Sequence, residues 1–238
     1  MKDLAKKVTV VTGGSSGIGL ATIQKFMEEG ATAISADISA PEDEAIPFIK
    51  TDVTSEASLE AMVKEVVDNY GKLDILVANA GIAEKKGGVA DLDVDNWEKV
   101  IAIDLTGVVL TNKAVVKQML KQGHGSVINM SSILGVVGAA NSQAYSAAKA
   151  GVANYTKSQA VTYAKQGIRF NAIAPGYVAT PLLKTLPDDV TQSMVSKMPI
   201  GRLAEPAEIA NVIAFIASDE ASFVTGAIIN VDGGYTSL

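Results

Sequence analysis

Short β-branched runs alternate with longer segments of helical period, and this alternation limits the possible folds more than any other feature of the chain. KVTVVT (7–12), ATAISAD (31–37), IPFIKT (46–51), LDILVAN (73–79), GSVINMS (125–131), IRFNAIA (168–174) and AIINVD (227–232) have the length and composition of strands. Several are apolar at successive positions, the pattern of strands covered on both faces, as in a parallel sheet between helix layers. Helical period falls around 17–29, 55–70, 95–122, 143–166 and 205–217. No composition break, repeat or low-complexity tract interrupts this order. The expectation is an α/β chain, residues 1–238 as a single domain, built on a doubly wound, mostly parallel seven-stranded sheet flanked by helices on both faces. The connection from about 175 to 204 breaks the rhythm with Pro175, Pro181, Pro187 and Pro199. Long irregular connections in compact domains often cover sites, so a substrate lid is expected over about 180–204.

Composition narrows the chemistry. Across 238 residues, 48% are hydrophobic and 19% charged, which implies a substantial core and argues against disorder. The formal net charge of −6 offers no basic footprint, so nucleic acid is not an expected partner. The chain has no cysteine, which excludes disulfides, thiol nucleophiles and thiolate metal sites. Its one histidine, His124 in QGHGS, precedes a strand, leaving neither the usual zinc ligands nor a triad base, and no metal is expected. The opening MKDLAKKVTVVTGG reaches glycine after too short an apolar run for a signal peptide. No apolar run nears the roughly 18 residues of a membrane span, so a soluble, cytoplasmic protein without membrane contact is expected.

The first strand runs into TGGSSGIGL, where Gly13, Gly17 and Gly19 are spaced GxxxGxG around Ser16 and Ile18 and a helical pattern follows at once. A phosphate needs backbone N–H groups close by and the positive end of a helix, and glycine permits both the turn and the approach. Asp37 closes the next strand, 18 residues beyond Gly19, where a Rossmann βαβ unit brings a carboxylate to the adenosine ribose. A carboxylate accepts from a diol and repels a 2′-phosphate, and no lysine or arginine stands in the loop or just after Asp37. NAD is therefore expected over NADP. A strand-end aspartate that caps a turn is the structural alternative.

In QAYSAAKAGVANY (143–155), Tyr145 and Lys149 are four positions apart and project from one face if the segment is helical. Ser132 ends the strand GSVINMS, and ligands of doubly wound sheets bind at carboxyl ends of strands. Ser131, its neighbour, faces the other way if still extended.

Together with these residues, TGGSSGIG (12–19), DV (52–53), ANAG (78–81), NMSS (129–132), YSAAK (145–149), PGYVATP (175–181) and DGG (232–234) stand in an order and spacing that resemble the short-chain dehydrogenase/reductase family over nearly the whole chain. The resemblance implies that Tyr145 is the general acid and base, Ser132 orients the reacting oxygen, and Lys149 holds the nicotinamide ribose. A free phenol, near pKa 10, is a poor base at neutral pH. An ammonium one turn away and a positive nicotinamide both favour the phenolate. For the cofactor, beside the loop residues Gly13, Ser16, Gly17 and Gly19 and the ribose carboxylate Asp37, the resemblance implies that the backbone of Ile18 contacts the pyrophosphate, Asp52 the adenine amino group and Val53 its ring. Asn79, Ala80 and Gly81 are implied to line the cleft beside the adenosine ribose, Pro175 and Gly176 to contact the cofactor, and the backbone of Val178 and hydroxyl of Thr180 to hold the carboxamide. Thr12 and Asn171 are expected to stabilise turns.

Two departures stand out. Ala78 replaces an asparagine common in the family. In VIAIDLTGVVL, Asp104 replaces the family's asparagine, which is thought to hold a water in a proton relay through the lysine. A buried aspartate is costly unless paired or protonated, and Asp104 is expected to substitute functionally and join the catalytic set. The implied substrate is a small or moderately apolar secondary alcohol or ketone, with Leu182, Leu183, Leu186, Met194 and Met198 available to cover it or to pack the lid on the body. Lys184 and Lys197 are the lid's cations, and Tyr235 and Leu238 are candidates to touch substrate or a neighbouring subunit. A 3-oxoacyl thioester reductase and a non-catalytic NAD sensor on the same fold remain alternatives. The resemblance also implies a homotetramer.

Overall fold

A computed structural model describes residues 4–184 and 187–237; the side chains of Leu182, Lys184 and Leu186, and residue Leu238, lie outside what is described. The strands are β1 (Val8–Thr12), β2 (Thr32–Asp37), β3 (Phe48–Lys50), β4 (Ile75–Ala78), β5 (Gly125–Met130), β6 (Ile168–Pro175) and β7 (Ile228–Val231). They form one sheet in the order β3-β2-β1-β4-β5-β6-β7, and every neighbouring pair is parallel. The doubly wound reading holds, with a fully parallel sheet where a mostly parallel one was expected.

Helices α1 (Gly17–Glu28), α2 (Glu56–Tyr70), α3 (Val94–Ile101), α4 (Gly107–Gln122), α5 (Ala144–Tyr163), α6 (Pro181–Lys184), α7 (Asp188–Val195) and α8 (Pro206–Ala217) connect the strands. One face of the sheet is covered by Leu59, Met62 and Val66 of α2, Val115 and Met119 of α4, and Val152 of α5. The other is covered by Ile23 and Phe26 of α1 and Ile209 and Ile213 of α8. Continuous apolar strands thus acquire a layer on each side, each buried aliphatic side chain contributing about 1.5–3 kcal/mol. Local signals set the ends: Ser55 accepts from Ser58 N at 3.3 Å to start α2, and Glu205 and Glu208 form a capping box around Pro206 at the start of α8.

Two elements differ from the sequence reading. The helix expected over 95–122 is interrupted by a π-helical turn, Ala102–Thr106, between α3 and α4. The segment read as irregular carries α6 and α7, the latter starting after Pro187 with Asp188 and Asp189 in its first turn. Proline there opens a helix, because the first turn needs no backbone donor.

The strand order reverses between β1 and β4, opening a crevice at the carboxyl ends of these strands. His124 stands at the other end of the sheet, its Nε2 2.9 Å from Oδ1 of Asp74, whose Oδ2 accepts from Val8 N. The histidine thus contacts a buried carboxylate where β4 begins, away from the crevice. Among the described residues, no helix is long and apolar enough to cross a membrane.

Candidate active site

The crevice begins at the glycine loop. Ser16 precedes α1 in extended conformation, its side chain caps nothing, and the first turn has no acidic residue. The leading N–H groups of α1 therefore face the loop without a side-chain acceptor, as an anion would require. Gly19 is buried beneath the loop, and a Cβ there would stand 2.1 Å from Gly13 O and 2.8 Å from Asn79 Nδ2. Asn79 Nδ2 donates to Thr12 O and Gly13 O, both at 3.1 Å, while Thr12 Oγ1 accepts from Asn79 N at 3.0 Å and Ala80 N at 3.2 Å. Thr12 and Asn79 therefore lock the loop to the end of β4. Asn171 accepts from Ala227 N and donates to Val224 O, tying β6 to the approach to β7. Thr12 and Asn171 thus have the structural parts expected of them.

A cavity of about 610 Å³ is lined by Gly13, Ser16, Gly17, Ile18, Asp37, Asp52, Val53, Asn79, Ala80, Gly81 and Thr180. Gly19 shapes this cavity from below and does not line it. Gly19→Ala is expected to displace the loop and weaken cofactor binding at least about tenfold, as for about 1.4 kcal/mol of misfit; titration calorimetry with the nicotinamide dinucleotide would read this.

Asp37 ends β2 half-buried. Its Oδ2 accepts from Ser15 N at 3.1 Å and its Oδ1 from Ile38 N at 2.7 Å. It organises the turn, as the structural alternative expected, and also lines the cavity. Lys50 is its register partner on β3 but does not line the cavity. Asp52 accepts from Thr54 N at 2.9 Å and from Thr54 Oγ1 at 2.6 Å, and these bonds hold its carboxyl below the usual range.

A second cavity, of about 340 Å³, shares Ile18, Asn79, Gly81, Ile82 and Thr180 with the first. It holds Ser132, Tyr145, Lys149 and Asp104 together, with Pro175, Gly176 and Val178 on its wall. Tyr145 and Lys149 lie on one face of α5, the ammonium 5.4 Å from the centre of the phenol ring. Ser132 follows β5 in extended conformation, and its Oγ accepts from Leu134 N at 3.2 Å. Ser131 turns the other way and donates to Lys149 O at 2.8 Å, pinning α5 to the end of β5.

Lys149 is buried. Its Nζ donates to Met130 O at 3.1 Å and lies 3.2 Å from Asp104 Oδ2. Asp104 sits in the π-helical turn, fully buried, with Oδ1 accepting from Ile82 N at 2.9 Å. Oδ2 is within ion-pair distance of the ammonium, yet no donor is aligned on it among the described residues; the contact is chiefly charge with charge. Burial pushes the Asp104 carboxyl above its ordinary range, and Lys149 and the Ile82 N–H pull against that rise. Gly81 makes room for the pair: a Cβ there would lie 2.8 Å from Asp104 Oδ2 and 3.4 Å from Lys149 Nζ. Gly81→Ala is expected to force the pair apart and lower turnover, checked by steady-state kinetics beside a thermal melt.

The remaining wall is mostly apolar. Leu183 and Met194 line the cavity, whereas Met198 is buried and approaches Gly176 and Gly233. Of the methionines considered for covering substrate, Met198 is thus a packing residue. Tyr177 also lines the cavity and meets Tyr235 edge-on, with ring centres 5.8 Å apart. Burial, followed by Tyr235, pushes the Tyr177 phenol up to about 12. It therefore stays protonated at neutral pH and is unsuited to act as a base.

The sequence reading missed Glu84, which faces this cavity and accepts from the start of α5. Nothing in AEKK separates it from a solvated charged stretch, since its partners are about 60 positions away.

A glycine-loop cleft running into a Tyr/Lys/Ser cluster on a fully parallel, doubly wound sheet places the chain in the Rossmann class. A family profile described as enoyl-(acyl carrier protein) reductase matches residues 13–236. The chain belongs to the short-chain dehydrogenase/reductase family and is an oxidoreductase. It is 52% identical to cis-4-hydroxycyclohexanecarboxylate dehydrogenase of Sinomonas cyclohexanicum, over 98% of each chain. It is 41% identical to the 3-oxoacyl-[acyl-carrier-protein] reductase of Thermotoga maritima, over 97% of this chain and 98% of that one. Among solved structures it resembles levodione reductase, with a TM-score of 0.93, 35% identity and 98% of each chain covered.

Proposed function

We propose that this protein is an NAD-dependent dehydrogenase of small or moderately apolar secondary alcohols, and reductase of the corresponding ketones, with ring alcohols as the preferred class. The observation that carries the reading is the meeting of Ser132, Tyr145 and Lys149 in one largely apolar cavity continuous with a cleft that ends at Asp37. The free helix start, the glycine loop and the Asp37 carboxylate fit a dinucleotide. When bound, its nicotinamide supplies the site that accepts or returns hydride.

The chain's own residues do the rest. In oxidation, Ser132 Oγ donates to the substrate oxygen and fixes its direction, and Tyr145 Oη, as phenolate, takes the hydroxyl proton as the C–H bond breaks. In reduction the phenol returns that proton to the carbonyl oxygen. Lys149 places its charge beside the phenol ring and offers an N–H to the cofactor ribose. Asp104 and Met130 O hold the lysine in place, and a lid formed by α6 and α7 excludes water.

The ring preference follows from the 52% identical relative, whose name specifies a hydroxycyclohexane carboxylate, and from a cavity of about 340 Å³ walled by Ile133, Leu134, Leu183 and Met194. Lys86, exposed on the rim without an ion pair among the described residues, would tolerate a substrate carboxylate. The test is absorbance at 340 nm with NAD against 4-hydroxycyclohexanecarboxylate, neutral cyclohexanols, acyclic secondary alcohols and a 3-oxoacyl thioester in the reverse direction. Highest kcat/KM on the thioester would overturn the proposal in favour of the thioester reductase; NAD binding with no turnover anywhere would make the protein a sensor.

The preference for NAD rests on Asp37. A 2′-phosphate beside this carboxylate would meet about 1 kcal/mol of repulsion per charge at 4 Å even in bulk water. NAD is expected to exceed NADP at least about tenfold in kcat/KM, and Asp37→Asn to narrow that ratio. Equal use of both cofactors by the wild type would remove the argument. We further infer a cytoplasmic homotetramer, consistent with the exposed apolar side chains of Val161 and Phe223; analytical ultracentrifugation reads the assembly.

A further inference from the structure

Helix α5 carries Tyr145 in its first turn but does not cap itself. The Gln143 side chain makes no cap bond and the first turn contains no acidic residue. The acceptor comes from the loop after β4. Glu84 Oε2 accepts from Gln143 N and from Tyr145 N, both at 3.0 Å, and Oε1 accepts from Ser142 Oγ. Two further bonds tie the same segments: Gln143 Nε2 donates to Gly87 O at 3.0 Å, and Gly87 N to Asn141 O at 3.1 Å. Glu84 thus grips the main chain of the tyrosine itself while its side chain faces the cavity that holds the phenol.

We propose that Glu84 is a positioning residue: its carboxylate, fastened to the main-chain N–H of Tyr145, sets where the phenol stands relative to Ser132 and the substrate oxygen. The proposal rests on the assignment of Tyr145 as acid and base. A carboxylate at a helix start satisfies donors that the helix leaves open and complements its dipole, and charge-assisted bonds of this kind are short and directional. Without them the first turn of α5 can fray, and Tyr145 is in that turn. Lys149, one turn further in, is held independently by Met130 O and Asp104. Loss of Glu84 therefore displaces the phenol relative to a lysine that stays fixed.

Charge is the competing effect. Glu84 is an anion beside the cavity, where the charged or titratable groups are Tyr145, Lys149, Asp104, Lys86 and Tyr177, and it also borders a groove that holds Lys85, Asp91 and Asp93. Glutamine separates the two effects. Its carbonyl can accept from both backbone donors, and its amide can donate to Ser142 Oγ, with no charge.

The experiment compares Glu84→Ala, Glu84→Gln and Tyr145→Phe with the wild type by kcat, KM for NAD and alcohol, pH profile, and the primary isotope effect with alcohol deuterated at the carbinol carbon. Glu84→Ala is expected to lower kcat by about 10- to 100-fold, the scale of an ångström misplacement, with a larger isotope effect and an unchanged KM for NAD. Glu84→Gln is expected to recover most of the turnover with an unshifted pH profile. Wild-type kcat in Glu84→Ala, with only a lower melting temperature, overturns the positioning role. A glutamine form as impaired as the alanine form, with both pH profiles displaced alike, overturns it in favour of charge. If Tyr145→Phe keeps full activity, the assignment of the tyrosine fails instead, whatever the Glu84 variants do.

Discussion

Tyr145→Phe is expected to lower kcat by about 10²- to 10⁴-fold in either direction, the usual worth of a positioned acid or base, while leaving NAD affinity and melting temperature near those of the wild type. The phenol is half-buried at the cavity, and its ring packs beside the Lys149 ammonium at 5.4 Å. Phenylalanine retains the ring beside the Lys149 ammonium and loses only the hydroxyl. Stopped-flow absorbance at 340 nm with NAD and a ring alcohol would measure the loss. No substitute is evident among the neighbours: Tyr177 stays protonated, Asp104 is fully buried behind Lys149, and Glu84 is committed to the start of α5. Undiminished turnover in this variant would remove the proposed mechanism.

Asp104 gives the second large effect. Asp104→Ala leaves the Lys149 ammonium buried with Met130 O as its remaining acceptor and strips Ile82 N of its partner. Breaking a buried pair from one side costs on the order of 3–5 kcal/mol, so a lower midpoint in denaturant is expected along with lower turnover. Asp104→Asn should be milder in stability and should instead reveal the charge. The carboxamide removes the charge that faces the lysine, so a fall in turnover at near wild-type stability would read the electrostatic share of the pair.

The linkage with stability has its own sign. Burial raises the folded carboxyl above its unfolded value, so the folded state binds the proton more tightly. Stability from this group is present below the unfolded pKa and is lost as pH rises through the folded one. Thermal melts over that range should show the wild type losing ground to Asp104→Asn as pH rises. Full turnover in the alanine variant would mean that Asp104 has no part in the relay.

The strands were legible because apolar runs of four to eight residues between breakers have few other uses, and their ends came within two residues of those observed. Tyr145, Lys149 and Ser132 were legible because a single α5 and a single strand end deliver them. The π-helical turn around Asp104 was not, since one extra residue in a helical turn leaves no mark on an apolar pattern about 28 residues long. Helix α7 was hidden by prolines, which serve equally to break a chain and to begin a helix. Glu84 was beyond reach for a different reason. Its role lies in bonds to main-chain donors about 60 positions away, and those donors have the same identity whatever the side chain.

The peptide of Lys149 is fastened from below by Ser131, while the cavity's outer wall includes Leu183 and Met194 from α6 and α7. On the proposed reading, proton transfer and one part of the selectivity therefore occupy separately anchored parts of the chain, while Ile133 and Leu134 stay with Ser132. If the proposed function holds, an exchange of residues 181–198 for the matching stretch of a relative should shift the preferred alcohol and leave the proton-transfer step intact, so a scaffold of this kind can diversify by a change of roof.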